Sequence, residues 1–308
     1  MNAPSIVFPP RLVPGDLIGL TTPASPPEKP ELIDETIARL TAFGFRIKPG
    51  KNLRKRDSYL AGSDEERAED INAMFADPEV KGIYALRGGY GSCRILPLID
   101  YAAIRANSKP FLGYSDVTAM HNAILVKTGL VTFHGPNASS AFQPGNEATC
   151  RRVLMEPIDL SASTLFSRDA ANEAKLKTVV PGRVIGRLIG GNMTCLLRLL
   201  GTPYAPDFRG VILFLEDTGE KAYRIDGNFC HLRLAGVLDQ IAGLVIGQFD
   251  HSDAAEETRI AACLHREAER IGVPCVTGAP IGHFAEQITI PHGAQAELDA
   301  DVGSLKLV

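Results

Sequence analysis

The chain has 308 residues, of which 45% are apolar and 22% charged, with a formal net charge of −4. That composition belongs to a globular protein of one large or two ordinary domains. It excludes a nucleic-acid footprint, because the balance is slightly acidic and no Lys/Arg block interrupts it.

The first half alternates strand-like and helix-like segments. Residues 17–22 form a short apolar run that ends in Pro23-Ala24-Ser25. Ile33, Ile37, Leu40 and Phe43 then recur at helical spacing, with Gly44 placed to end the helix. Ser63-Asp64-Glu65-Glu66 is a capping box, and it predicts a helix running through Met74 and Phe75. Strands are predicted at 81–86, 111–114 and 131–133, with a helix over 116–127 closed by Gly129. This alternation argues for a parallel sheet covered by helices.

From 143 to 177 the sequence is polar and without a strong period, which suggests a boundary, a linker and a short entry strand. Beyond it come short strands at 182–189, 211–215, 243–246, 273–276 and 288–290. Helices are expected at 192–200, with Asn192 as N-cap, and at 255–271, and residues 294–308 read as a hairpin. The six cysteines (Cys93, Cys150, Cys195, Cys230, Cys263 and Cys275) are scattered, with no C-x-x-C pair. They are expected as reduced thiols, and no metal site is expected. Residues 1–13 lack the pattern of a signal peptide, and no run approaches the roughly 18 apolar residues of a membrane helix. A cytoplasmic protein is the expectation.

Four local patterns carry chemistry. In Phe111-Leu112-Gly113-Tyr114-Ser115-Asp116 a strand runs into a serine and a helix opens at once. This is the layout of a nucleophile on a sharp strand-to-helix turn, although Val117 stands where the strict G-x-S-x-G elbow has glycine. A serine there is also a common helix N-cap. Arg87-Gly88-Gly89-Tyr90-Gly91 follows a strand, and its glycines could cradle an oxyanion or a carboxylate, or simply make a tight turn. It lacks the G-x-G-x-x-G spacing of a dinucleotide site. Glu216-Asp217 closes an apolar strand and could orient a histidine, or be a pair of solvated acids. Among seven histidines, His283 and His134 each follow a strand and compete as the base.

Together, Arg87-Gly88-Gly89-Tyr90-Gly91, Gly113-Tyr114-Ser115-Asp116, His134-Gly135-Pro136, Gly190-Gly191-Asn192, Leu215-Glu216-Asp217-Thr218-Gly219-Glu220 and Pro280-Ile281-Gly282-His283 resemble one family. It is the serine L,D-carboxypeptidases that act on muropeptides, with the microcin-immunity peptidases as close relatives. The segments match in order and spacing from about 13 to 305. One departure is Gly227, where relatives usually carry a basic residue.

The resemblance implies a Ser–Glu–His triad of Ser115, Glu216 and His283. It implies an oxyanion hole from the backbone N–H of Asp116 and of Gly88 or Gly89, and substrate contacts from Arg87, Tyr90 or Arg224. The implied substrate is a murein tetrapeptide, L-Ala-D-Glu-meso-diaminopimelate-D-Ala, cleaved before its terminal D-alanine with no cofactor. The implied fold is α/β. A flavodoxin-like parallel sheet domain (1–160) would carry the nucleophile. A linker (161–180) would lead to a smaller β-rich α/β domain (181–308) carrying Glu216 and His283. A homodimer serving peptidoglycan recycling is also implied. Two alternatives stand beside it. One is a microcin-immunity-type hydrolase of adenylate analogues, which the absence of Trp disfavours. The other is a non-catalytic binding module for small anions.

Overall fold

The structure is a computed structural model that describes residues 4–140, 145–156, 163–169 and 175–308. The segment 143–177, and with it part of the predicted linker, lies partly outside the described residues. The chain forms two compact units. The first comprises Met1–Pro157, Pro203–Ala205 and Thr289–Gly293, and the second comprises Ile158–Thr202, Pro206–Ile288 and Ala294–Val308.

The first unit is built on β1 (Leu17–Thr21), β2 (Arg46–Pro49), β3 (Val80–Ala85), β4 (Phe111–Gly113) and β5 (Thr132–His134), which are all parallel. A sixth strand, Ile290–His292 (β12 in chain order), closes one edge antiparallel to β5. The spatial order β12-β5-β4-β3-β1-β2 contains the 2-1-3-4-5 arrangement of flavodoxin-like sheets. The chain reverses its direction of travel across the sheet between β1 and β3, so the loops that follow these two strands diverge. Such a switch point is where open α/β sheets bind ligands.

The helices form for local reasons. α1 (Glu31–Ala42) buries Ile33, Thr36 and Leu40 along one face. α2 (Asp64–Ala76) opens on the expected capping box, with Ser63 and Glu66 exchanging hydrogen bonds, and buries Ile71, Met74 and Phe75. One-turn α3 (Ser92–Ile95) opens directly after Gly91, where no clear helix start is legible in the sequence. α4 (Tyr101–Ala106), α5 (Thr118–Thr128, ended by left-handed Gly129) and α6 (Glu147–Leu154) complete the unit.

The second unit is a mixed eight-stranded sheet of β6 (Thr164–Ser167), β7 (Lys177–Val180), β8 (Arg183–Asn192), β9 (Ile212–Thr218), β10 (Gly243–Asp250), β11 (Cys275–Thr277), β13 (Gln295–Asp299) and β14 (Ser304–Leu307). The order is β6-β14-β13-β8-β9-β10-β11-β7, with β8 to β11 parallel and the flanking pairs antiparallel. Its helices are α7 (Met193–Leu197), α8 (Ala222–Leu234) and α9 (Ala254–Ile271). Asn192 caps α7 as expected, accepting from Cys195 N.

Two differences from the sequence reading stand out. The strand expected at 288–290 begins two residues later and belongs to the first unit's sheet. α8 was not anticipated. Gly227, a poor helix former, lies inside it and Lys221 gives it no side-chain cap, although Ile225, Phe229 and Leu232 are buried at helical spacing. All six cysteines are free thiols, and among the described residues no helix is long and apolar enough to cross a membrane.

Candidate active site

Ser115 follows β4 by two residues. It has φ +65°, and only one other non-glycine residue among those described, Ser58, has a left-handed φ. It opens a 3-10 turn, Ser115–Val117, that leads into α5, and the residue that caps α5 is Val117. Ser115 is therefore not the N-cap of α5. It sits on a strained strand-to-helix turn of the kind that presents a nucleophile.

The turn is held from several sides. Tyr114 N donates to Asn137 Oδ1 (3.1 Å), and Ser92 N donates to the buried Asp116 carboxylate (2.7 Å). Gly113 O lies 2.8 Å from His121 Nε2. A carbonyl only accepts, so Nε2 carries the proton and Nδ1 accepts from Thr132 Oγ1 at 2.9 Å. Burial pushes His121 down to about 4, which keeps this ring neutral.

The glycine-rich loop after β3 packs on this turn. A Cβ on Gly88 would lie 2.8 Å from Ser115 Cβ and 3.1 Å from its Oγ. Only glycine allows that approach. Gly89 has φ +114°, and a Cβ there would lie 2.5 Å from both Ser25 Cβ and Ser25 Oγ. Ser25 Oγ accepts from Tyr90 N (3.1 Å). The N–H groups of Gly88 and Gly89 have no acceptor among the described residues, so they are available to an anion.

Glu216 and His283 meet in the second unit. Glu216 lies on β9 and is 0% exposed, and its Oε2 is 2.8 Å from His283 Nδ1. A bulge in β10 between Ile246 and Phe249 interrupts the pairing beside Glu216. The His283 loop is stitched to that strand by Ala279 N to Ile246 O (3.1 Å) and Gln248 N to Ile281 O (2.8 Å).

Burial pulls the His283 pKa down, but the Glu216 hydrogen bond and charge, with Asp250 and Asp217 behind them, outweigh it and the net shift is upward. Burial also raises Glu216, partly offset by His283. The carboxylate thus fixes the ring with Nδ1 toward Glu216, leaving Nε2 as the basic nitrogen.

Asp217 is not a solvated acid either. It is 3% exposed and accepts from Asn192 Nδ2, Thr194 N, Thr194 Oγ1 and Thr218 N at 2.7–3.0 Å. Sequence reasoning missed this supporting role, although an Asn after two glycines was visible at 190–192.

The remaining candidates fall elsewhere. His134 is fully buried in β5, edge-on to Tyr114, so its ring is part of the sheet's packing. Arg87 donates from Nη1 to Pro26 O (3.2 Å) and lines a hollow of about 400 Å³ with Glu28, Glu31 and Glu35. Tyr90 is 42% exposed and lies edge-on to the exposed Tyr59. Arg224, on α8, pairs with Glu220 at 3.7 Å.

A strained serine beside an open N–H loop, on a flavodoxin-like sheet, and a histidine held by a buried carboxylate define an α/β enzyme of the hydrolytic kind. Comparison with known proteins gives it a family. Residues 18–135 match the LD-carboxypeptidase N-terminal domain and 185–298 the LD-carboxypeptidase C-terminal domain, so the chain belongs to the LD-carboxypeptidase family.

It is 37% identical to a probable murein peptide carboxypeptidase of Bacillus subtilis, across 92% of this chain and 89% of that one. Among solved structures it is similar to the muramoyltetrapeptide carboxypeptidase of Oxalobacter formigenes (29% identity, TM-score 0.79, 94% and 97% covered). It is also similar to the microcin C7 self-immunity protein MccF in complex with aspartyl sulfamoyl adenosine (27% identity, TM-score 0.88, 98% of each covered).

Proposed function

We propose that this chain is a serine L,D-carboxypeptidase that removes the terminal D-alanine from murein tetrapeptides, with Ser115, His283 and Glu216 as its triad. The observation that carries the reading is the left-handed Ser115 on its strand-to-helix turn, with Gly88 packed on its Cβ.

In the proposed reaction, His283 Nε2 takes the Ser115 hydroxyl proton as Oγ attacks the carbonyl carbon of the scissile amide. Glu216 stabilises the imidazolium. The N–H groups of Asp116 and Gly88 receive the oxyanion, each such donor contributing about 2.7–4 kcal/mol to the barrier in comparable enzymes. The tetrahedral intermediate collapses and His283 returns its proton to the departing D-alanine amine. Water, deprotonated by His283, then releases the tripeptide and restores Ser115. No step requires a cofactor. The reading draws Ser115 from a domain of 1–160, and Glu216 and His283 from one of 181–308. It carries with it peptidoglycan recycling in the cytoplasm by a homodimer.

A second reading, hydrolysis of an acyl-adenylate analogue by the same residues, is favoured by the likeness to MccF and by the exposed Tyr59 and Tyr90 pair. Mass spectrometry of L-Ala-γ-D-Glu-meso-diaminopimelate-D-Ala, incubated with the native protein and with Ser115→Ala, decides between them. Loss of one D-alanine with the native protein only is the expected result. Loss with both removes Ser115 from its role. Inertness of the native protein, with cleavage of aspartyl sulfamoyl adenosine, moves the assignment to the second reading.

A further inference from the structure

We infer that Ser25 is the residue that reads the terminal carboxylate of the substrate, donating its hydroxyl hydrogen to that carboxylate beside the Gly89 N–H. The inference rests on the carboxypeptidase reading above and adds to it the group that makes the enzyme act only at a chain end.

Ser25 lies in the loop after β1, at the switch point of the first sheet, where the loops of β1 and β3 part. Its Oγ already accepts from Tyr90 N at 3.1 Å, and its own N donates to Gly88 O at 3.4 Å. The hydroxyl is thereby fixed with one lone pair filled. Its hydrogen has no acceptor among the described residues.

The two glycines address different serines. Gly88 packs on Ser115, and Gly89, one residue on, packs on Ser25. Adjacent Cα atoms in the loop are about 3.8 Å apart. The substrate has the same one-residue step between its scissile carbonyl and the carboxylate of its last residue. An oxyanion held at Gly88 over Ser115 therefore brings the carboxylate to Gly89 and Ser25. There a peptide N–H and a hydroxyl, neither with an acceptor among the described residues, can both donate to it, and hydrogen bonds to a charged acceptor are the strong ones.

The nearby arginine is engaged otherwise. Arg87 donates to Pro26 O and lines a hollow shared with Glu28, Glu31, Glu35 and Lys29, where three carboxylates already compete for its charge.

The test measures kcat/KM for native protein and Ser25→Ala on two substrates, the tetrapeptide acid and the same peptide ending in D-alaninamide. We expect the native protein to prefer the acid. Ser25→Ala should lose about 10- to 100-fold on the acid, the range for a lost hydrogen bond to a charged group, and less than about 3-fold on the amide. The preference for a free chain end then collapses.

Equal loss on both substrates would make Ser25 merely structural, a support for Tyr90, and overturns the inference. No loss on either also overturns it. Inertness of the native protein on both peptides is read before any variant is made. It sinks the carboxypeptidase reading itself, and this inference with it. Should Ser25→Ala fold poorly, Ser25→Cys keeps the volume but donates weakly, and it must show the same acid-specific loss.

Discussion

In the first unit the features of the proposed site are made of backbone. They are a left-handed φ at Ser115, two glycines pressed against serines, and N–H groups with no acceptor among the described residues. In the second unit they are made of side chains, a buried carboxylate on an imidazole and, next to it, an aspartate with four donors. The two kinds of construction respond to different perturbations. A backbone cradle is sensitive to the addition of one methyl group and indifferent to charge. A buried ionisable pair is sensitive to the loss of one charge at constant shape. The contrast suits the proposed acyl transfer, in which oxyanion donors need fixed geometry and a general base needs a tuned pKa.

The largest effect expected on the side-chain half is that of Glu216→Gln, which keeps the shape and removes the charge. It should lower kcat by about 10³- to 10⁴-fold, the scale seen when a triad acid becomes an amide. The pH profile gives the sharper reading. A general base must be neutral, so activity falls as pH drops through the His283 pKa. Glu216 helps raise that pKa above 6.5. Removing the charge takes away part of the lift, so the acid limb of kcat/KM must move to lower pH in Glu216→Gln. A limb that stays put would separate Glu216 from the base.

Next comes a matched pair of glycine substitutions. Gly88→Ala sets a methyl 2.8 Å from Ser115 Cβ, and should cost about 10²-fold in kcat with a small change in Tm. Gly190→Ala, in β8 of the second unit, sets a methyl 1.8 Å from Phe214 O, a backbone clash that should abolish folding, read by circular dichroism. If Gly88→Ala unfolds the protein as well, the loop is architecture and the comparison fails.

The smallest effect is that of Asp217→Asn. Replacing one carboxylate oxygen by an NH₂ turns a donor toward Thr194 or toward Asn192 and Thr218, and should cost about 1–3 kcal/mol in chemical denaturation. Activity of the folded fraction should fall far less than in Glu216→Gln. A collapse of activity with unchanged stability would make Asp217 part of the chemistry.

How much of this was legible depends on how local each feature is. The Ser115 turn is written in ten consecutive residues, strand, serine, helix, and it folds as read. The Ser63 capping box and the Gly129 helix end are local in the same way. α8 escaped because it carries Gly227, a poor helix former, in its interior and no capping residue announces it. The return of Ile290–His292 to the first sheet is a matter of topology, which periodicity does not carry.

Glu216 and His283 are 67 positions apart, and by sequence alone His283, in its Gly/Pro-rich loop, stood only slightly ahead of His134. The resemblance turned that slight preference into an assignment, and the structure then pairs His283 with Glu216 at 2.8 Å while burying His134. Ser25 was visible only as the end of a strand. Its position against Gly89 exists in three dimensions alone.

The central claim is that Ser115 is a nucleophile whose reactivity is set by the Glu216–His283 pair. The most direct measurement is the rate of labelling by a fluorophosphonate between pH 5 and 9 in the native protein and in Glu216→Gln, with the adduct mapped by peptide mass spectrometry. It needs no knowledge of the substrate. The account predicts a single adduct on Ser115, an acid limb above pH 6.5 in the native protein, and a slower reaction with its limb shifted down in Glu216→Gln. An adduct on another residue, or a profile indifferent to Glu216, would contradict it.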